Sequence, residues 1–285
     1  MAIKIVTDST CYIPNELKEK YDITVVSLSV VMGNEIFKET EIENDVFYKK
    51  LAEADSIPTS SQPTIDDLYK IFERIVENGD DVIGIFISSE MSGTYSTCNQ
   101  VIKTMIEEKY PNARMEIIDS RSNCMQMGYA VLTAARLANE NKSMDVILEE
   151  INKVINRSRF LFIPDTLEYL KKGGRIGGAA ALFGTLLQIR PILTVEDGKT
   201  AVFDKVRTKQ RAILRMIDKV KGDIAEGKLG ELIVHHINCE EEGRALAEKV
   251  KEILGVEAQI QDIGPVIGCH VGPKAVGIAY YILDK

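Results

Sequence analysis

Three short loops concentrate hydroxyl side chains where they can hold an anion through hydrogen bonds. They are DST at residues 8–10, TSSQPT at residues 59–64 and SSEMSGT at residues 88–94. Each loop follows a predicted strand or approaches a predicted helix start. In an open parallel sheet, ligands lie beyond the carboxyl ends of the strands, where hydroxyls and helix N-terminal N–H groups attract anions. Together the three loops predict an anion pocket at one edge of a sheet.

The same hydroxyls have a second explanation. Serine and threonine are favoured just before helices, where they cap free backbone N–H groups. The clustering favours a site, and so does Gly93, because its missing Cβ lets a ligand approach the backbone. These residues alone do not name the ligand.

Familiar catalytic and cofactor motifs do not match. The segment GKT at residues 198–200 resembles the end of a phosphate-binding loop, but the glycine required five places before Gly198 is Leu193, and a strand follows instead of a helix. Asp8 lacks the second aspartate that a phosphotransferase needs, so we interpret it as a helix cap. There is no G-x-S-x-G turn and no metal-ligand spacing around the histidines. We expect no ATP site, no metal and no other cofactor.

The elements of the first half indicate a parallel sheet. Strand-like segments IKIVT, ITVVSLSVV, DVIGIFIS and MEIIDS alternate with amphipathic stretches. One helix is marked at its start by Thr64, with Asp67 three residues later as in a capping box, and at its end by Gly79. We therefore predict a Rossmann-like α/β domain over residues 1–158.

A different pattern begins after a predicted helix over residues 145–157. RFLFIP is followed by glycine clusters, by two strands around the hairpin turn Asp197-Gly198, and by the strands ELIVHHI and EAQIQDI. The predicted fold class is α/β with two packed domains, the second over residues 159–285 having a mixed sheet. A cleft between them is the expected ligand site.

Composition excludes some partners. The net charge of −8 and the pI near 5.2 argue against nucleic acid, whose phosphates need clustered Lys and Arg. No apolar run is long enough for a signal sequence or a membrane anchor. The five cysteines are odd in number and contain no CxxC pair, as expected for reduced thiols in the cytoplasm.

Six segments spread over the chain carry a family resemblance. KIVTDST, SSQPT, ISSEMSGTYST, YLKKGGRIGG, LLQIRPIL and GPVIGCHVGP are similar to successive signatures of the DegV family. The run of eight ordered residues around a double glycine, YLKKGGRI, is the most specific of them. The chain is identified as resembling this family from end to end.

The resemblance implies a carrier that encloses a long-chain, palmitate-like fatty acid and does not turn it over. The acyl carboxylate is then held by Ser60, Ser61 and Ser92, with Gly93 and Thr94 in the same loop. Some members serve a separate fatty acid kinase, so a kinase catalytic subunit is the implied partner. No ATP site of the chain's own is implied.

The resemblance implies that His270 lies beside the headgroup or on the partner surface. Arg175, between Gly174 and Gly177, could pair with a phosphate or with a carboxylate of the partner, or it could make a helix-cap contact within the second domain. His270 belongs to GCHVGP, taken as a loop, whereas His235 and His236 are assigned to a strand with no role. An alternative is a serine-dependent acyl hydrolase or transferase with Ser92 as nucleophile and His270 as base. A regulatory protein holding another carboxylate is a third reading.

Two positions depart from the family pattern. Ser60 replaces the usual threonine and keeps the hydroxyl, and Gln126 stands in CMQMG at a position where the family has glycine. Gln126 is therefore expected to narrow or reshape the acyl tunnel. Five apolar residues are candidates for the tunnel wall: Ile85, Phe86, Leu182, Phe183 and Leu187.

Overall fold

A computed structural model of the chain describes residues 2–183 and 189–284, and in these ranges thirteen strands and ten α-helices occur. The strands are β1 Ile3–Asp8, β2 Thr24–Val26, β3 Ser29–Met32, β4 Glu35–Lys38, β5 Thr59–Ser61, β6 Asp81–Phe86, β7 Met115–Asp119, β8 Ser158–Ile163, β9 Arg190–Glu196, β10 Lys199–Val206, β11 Lys228–His236, β12 Gln259–Asp262 and β13 Val276–Leu283. The helices are α1 Asn15–Lys20, α2 Asn44–Glu53, α3 Ile65–Glu77, α4 Thr94–Glu108, α5 Cys124–Asn139, α6 Met144–Arg157, α7 Glu168–Lys172, α8 Lys209–Glu226, α9 Glu240–Leu254 and α10 Pro265–Val271.

The first sheet is parallel throughout, in the order β2-β1-β6-β7. Successive strand residues point to opposite faces, so Val6 packs with α3 and α4 while Ile5 packs on the side of α5. The predicted helix start is confirmed, because the Thr64 hydroxyl accepts a hydrogen bond from the Asp67 N–H at 3.1 Å. Gly79 follows that helix with a positive φ of 78°. The predicted parallel sheet is therefore confirmed.

The second sheet is mixed, in the order β10-β9-β8-β13-β11-β12. Neighbours are antiparallel except for β11 and β12, which run parallel because α9 crosses between them. Asp197 and Gly198 both have positive φ and form the two-residue turn between β9 and β10. The predicted hairpin and mixed sheet are confirmed, and GKT belongs to the hairpin.

Helix α5 lies between the two sheets. It packs against β1 and β6 on one side and against β8 and β13 on the other. Eleven of its sixteen residues are buried, which a helix surrounded by apolar surfaces requires. One hydrophobic core therefore runs through α5 from the first sheet to the second.

A small antiparallel sheet, β4-β3-β5, differs from the sequence prediction. ITVVSLSVV, predicted as one strand, is β2 followed by β3 in another sheet. Thr59–Ser61, predicted as loop, is the edge strand β5, because β3 supplies backbone partners that the local sequence does not reveal. GCHVGP, also predicted as loop, contains the end of α10.

We propose residue 158 as the division between two domains. Helix α6 ends at Arg157, and every strand of the mixed sheet lies after it. Within residues 2–183 and 189–284, no helix combines the length and the apolar character needed to cross a membrane.

Candidate functional site

A cavity lies where the small sheet, the loop after β6, α10 and the mixed sheet meet. The space between its lining atoms is about 550 Å³, including solvent at the mouth. Its apolar lining consists of Leu28, Ile87, Met91, Phe160, Phe162, Leu170, Val195, Val266, Ile267 and Val271. Its polar lining consists of Ser60, Ser92, Asn123, Arg175, Thr200 and His270. Ser60, Ser92, Arg175 and His270, which were all predicted as site residues, therefore share one cavity.

Ser60 and His270 form a hydrogen-bonded pair. The Ser60 hydroxyl Oγ and His270 Nε2 are 2.8 Å apart. Burial, with a smaller contribution from the charge of Arg175, lowers the pKa of His270 to about 4. Its Nδ1 is buried and has no hydrogen-bond partner in the described part of the chain. The imidazole is therefore neutral near pH 7, and Nε2 can donate to Ser60 while the Ser60 hydroxyl donates to a ligand.

Ser92 lies in the turn that starts α4. Its Oγ is 2.9 Å from Thr94 Oγ1 and accepts a hydrogen bond from the Thr94 N–H at 3.3 Å. Thr94 thus orients the Ser92 hydroxyl through these two contacts and does not line the cavity itself. The backbone N–H groups of this helix start have no side-chain cap from Gly93. Of this turn, the Met91 and Ser92 side chains line the cavity.

Gly93 is explained by a protein contact. A Cβ at this position would lie 2.3 Å from Oε1 of Gln62, whose Nε2 donates to Thr97 Oγ1 at 2.8 Å. Gly93 was predicted to leave space for a ligand, but the Gln62 side chain occupies this space. Gly93 shapes the loop and is absent from the cavity lining.

Arg175 lies exposed at the cavity mouth and joins the two halves of the chain. Its Nε donates to the Met91 carbonyl at 3.0 Å, and its Nη1 donates to the Gly173 carbonyl at 2.6 Å. The second contact stabilises the end of α7, whose last carbonyls need donors. The first contact reaches the loop that carries Ser92.

Other predicted site residues lie outside the cavity. Ser61 is exposed and follows Ser60 in β5, so the strand alternation turns it to the opposite side. None of residues 8–10 lines the cavity, and Asp8 is fully buried. Asp8 accepts from Thr10 N–H at 2.9 Å and Ile87 N–H at 2.7 Å. The capping interpretation of Asp8 is confirmed, and two of the three polar loops line the cavity.

Sequence reasoning missed Asn123 and Thr200. Asn123 precedes α5, is 7% exposed and donates from Nδ2 to the sulfur of Met91 at 3.1 Å. Among the described residues its Oδ1 has no hydrogen-bond partner. The sequence did contain a signal for Asn123, because this residue follows β7 at the same edge of the parallel sheet as the loop after β6 that carries Ser92. Thr200, from β10, carried no such signal.

A second apolar cavity continues from the first. Both are lined by Phe160, Phe162, Ile267 and Val271, and the space between the lining atoms of the second is about 220 Å³, including open solvent. His235 lies at this inner end, where Nδ1 is 3.0 Å from the Gln261 carbonyl and Nε2 accepts from Met125 N–H at 3.3 Å. Together the two adjoining spaces are the candidate channel, with Ser60 and Ser92 at one end and the His235 imidazole at the other.

The predicted tunnel walls need correction. Ile85 and Phe86 are buried inside the first sheet, before the strand reaches the cavity, and Phe86 packs with α3 and α4. Leu182 is buried outside both cavities, and the exposed ring of Phe183 lies 3.6 Å from the ammonium of Lys171. Leu187 lies outside the described residues. The walls of the two cavities come mostly from α10 and the mixed sheet.

Gln126 does not reshape the channel either. Its Nε2 donates to the Ser158 carbonyl at 3.1 Å, where α5 meets the start of β8. Neither cavity includes it in its lining. Its Oε1 is buried without a hydrogen-bond partner within residues 2–183 and 189–284.

A family model described as "Uncharacterised protein, DegV family" matches residues 2–283. The chain belongs to the DegV family. A DegV domain-containing protein of Clostridium acetobutylicum is 55% identical over 99% of this chain and 98% of its own length. The sequence resemblance is therefore confirmed along the whole chain.

Solved structures of this family superpose closely on the present one. DegV of Bacillus subtilis, described as a fatty acid binding protein, has 32% identity and a TM-score of 0.86, over 99% of this chain and 100% of that one. A stearic acid-binding protein of Eubacterium ventriosum has 26% identity and a TM-score of 0.90, over 98% of each chain. These DegV structures are of fatty-acid-binding proteins.

The alternative pairing of Ser92 with His270 in an acyl hydrolase is not the pairing in this DegV protein. The imidazole bonds to Ser60, and the Ser92 hydroxyl is engaged by Thr94. In the portion of the chain that the structure describes, no cluster of three or more His, Cys, Asp or Glu side chains could hold a metal ion.

The lowered pKa of His270 predicts an acid-sensitive contribution to stability. An unfolded histidine binds a proton below pH 6.5, whereas folded His270 binds one only near pH 4. The free energy of unfolding should therefore fall as pH falls through this window, by at most about 1.4 kcal/mol per pH unit from this residue. The free energy of unfolding, measured with urea at several pH values between 4 and 7, should change less steeply with pH in His270→Gln than in the wild type. Identical slopes would contradict the prediction.

Proposed function

We propose that this DegV protein binds a long-chain fatty acid in the cytoplasm and presents it to a fatty acid kinase, without an ATP site of its own. Ser60 and Ser92 donate hydrogen bonds to the carboxylate, and the acyl tail occupies the apolar channel. The observation that carries the proposal is the placement of both hydroxyls at one end of that channel. Five free cysteines fit a reducing compartment.

The headgroup end has suitable chemistry for an ionised carboxylate. A carboxylate cannot enter an apolar pocket unpaired, because the cost exceeds what the tail contributes. The Ser60 hydroxyl can donate to the carboxylate while accepting from neutral His270, and Ser92 supplies a second hydroxyl. Asn123 adds a buried amide at the same end. The headgroup is thus stabilised by neutral donors, with the one charged group of the lining, Arg175, at the mouth.

The tail supplies most of the affinity. A sixteen-carbon acid has about fourteen methylenes, and burying them contributes roughly 11 kcal/mol at about 0.8 kcal/mol each. Lost translational and rotational freedom opposes this by several kcal/mol. The remainder still corresponds to dissociation constants below about 1 μM. Neutral donors at the headgroup are therefore sufficient, because they only have to offset its desolvation.

The decisive experiment is direct detection of the ligand. Lipid extraction of the purified protein followed by mass spectrometry should recover a long-chain fatty acid. Isothermal titration calorimetry of delipidated protein should give tight binding of stearate and palmitate. No recovered acid and no stearate heat would refute the proposal, and turnover of an acyl ester by the isolated chain would support a hydrolase instead.

Arg175 is proposed to serve the kinase more than the lipid. Its guanidinium lies at the channel mouth, where it can meet the acyl phosphate or a carboxylate of the kinase. Arg175→Ala should leave stearate affinity within about threefold and reduce acyl-phosphate formation by about tenfold or more with a bacterial fatty acid kinase and ATP. Arg207→Ala, an exposed arginine before α8, is the matched control. Equal losses of affinity and of phosphorylation would contradict this role.

A further inference from the structure

Helix α10 carries much of the channel in only seven residues. Val266, Ile267, His270 and Val271 all line it, and His270 is the partner of Ser60. A helix this short has little stability of its own, so tertiary contacts decide where it lies. Whatever fixes α10 therefore fixes the headgroup end of the channel.

The first turn of α10 is capped from far along the chain. Glu39 Oε1 accepts a hydrogen bond from Val266 N–H at 2.8 Å. The Tyr12 hydroxyl accepts from Ile267 N–H at 3.2 Å and donates to the same Glu39 oxygen at 2.7 Å. A Cβ at Gly264 would lie 2.8 Å from that oxygen, so glycine allows the approach. Two free N–H groups of the helix start are thus satisfied by the N-terminal half of the protein.

Two other helices are capped locally. The hydroxyls of Thr64 and Thr208, each directly before its helix, accept from the first turns of α3 and α8. Glu39 is 227 positions from Val266 and is 8% exposed, and burial raises the pKa of its carboxyl. A buried carboxylate is a costly cap, whereas a serine or threonine would suffice for helix stability. The long-range cap fixes the position of the helix, which a local cap cannot do.

The small sheet connects both ends of α10. Glu39 follows β4 directly, and Ser60 lies in β5, while β3 pairs with both strands. The same sheet therefore contacts the start of α10 through Glu39 and its end through the bond from Ser60 to His270. The distance between these two contacts is set by strand pairing and not by a flexible loop.

We propose that Glu39, with Tyr12 as its support, is a positioning residue for the headgroup site. It fixes α10 relative to the small sheet so that His270 meets Ser60 and the Ser60 hydroxyl is directed at the carboxylate. This inference rests on the proposed fatty-acid binding. Glu39 itself does not line the channel.

The test compares Glu39→Gln with Glu39→Ala by calorimetry with stearate. Glutamine keeps an acceptor oxygen for Val266 N–H, so its affinity should stay within about threefold of the wild type, whereas alanine should lose about five- to tenfold. In a His270→Ala background, Glu39→Ala should cost less than about twofold, because its effect passes through His270. The ¹⁵N signal of His270 Nε2 should move in Glu39→Ala towards its value in Ser60→Ala.

The outcomes separate this inference from the proposed function. If the wild type does not bind stearate, the proposed function fails. If the wild type binds and Glu39→Ala binds equally well, or if the loss persists unchanged without His270, the positioning role alone is wrong. If Glu39→Ala does not fold, Tyr12→Phe is the test variant instead, because it removes the acceptor for Ile267 N–H. An unmoved His270 Nε2 signal in that variant would overturn the inference.

Discussion

The double variant Ser60→Ala, Ser92→Ala is expected to bind stearate about a hundredfold or more weakly than the wild type. Each hydroxyl donates to a charged acceptor, and such a hydrogen bond contributes about 1.5–3 kcal/mol. With both removed, the polar side chains left in the lining are Asn123, Arg175, Thr200 and His270, and none of them stands at the positions of the two lost hydroxyls. Calorimetry on delipidated protein measures the loss directly.

The control for this variant is Thr59→Ala. Thr59 is an exposed hydroxyl residue directly before Ser60 in β5, and the strand alternation points it away from the cavity side of Ser60. Its replacement should change stearate affinity by less than about twofold. Stearyl alcohol gives a second control, since its affinity should be far less sensitive to the double variant. If stearate binds the double variant as tightly as the wild type, the carboxylate lies elsewhere.

Much of the fold could be predicted from local sequence because the signals are local. Alternation of strands and amphipathic helices predicted the parallel sheet, Thr64 and Gly79 marked α3, and Asp197-Gly198 marked the hairpin. In each case the residues that cause the structure lie within a few positions of it. The clustering of hydroxyls grouped the loops of Ser60 and Ser92, but the choice of these two serines as carboxylate ligands needed the family resemblance.

The parts that were missed depend on distant partners. Helix α10 has Pro265 at its start and Gly272 after its end, but its first turn depends on Glu39, more than 200 positions away. Strand β5 exists only because β3 pairs with it. The prediction of the wall residues was wrong for the same reason, because Phe160 and Ile267 come together only when the mixed sheet packs against α10. No local pattern contains this information.

A substitution that fills the channel at its centre should distinguish the contribution of the acyl tail to affinity from that of the headgroup. Ile267 lines both cavities and is 6% exposed, so it lies where the two spaces join. In Ile267→Trp the indole ring should occupy this junction and keep the tail out of the inner cavity. Each methylene left unburied forfeits about 0.8 kcal/mol, so exclusion of four corresponds to an affinity loss of about a hundredfold or more.

A short acid provides the internal comparison. Octanoate has the same carboxylate but places few methylenes beyond the junction, so its loss of affinity in Ile267→Trp should be at least about tenfold smaller than that of stearate. Ile75→Trp in α3, where Ile75 is also 6% exposed, is the matched control for the general cost of overpacking, about 1–3 kcal/mol of stability. It should bind stearate within about twofold of the wild type. Wild-type stearate affinity in Ile267→Trp would place the tail outside this channel, because no long chain could pass an indole ring at its centre.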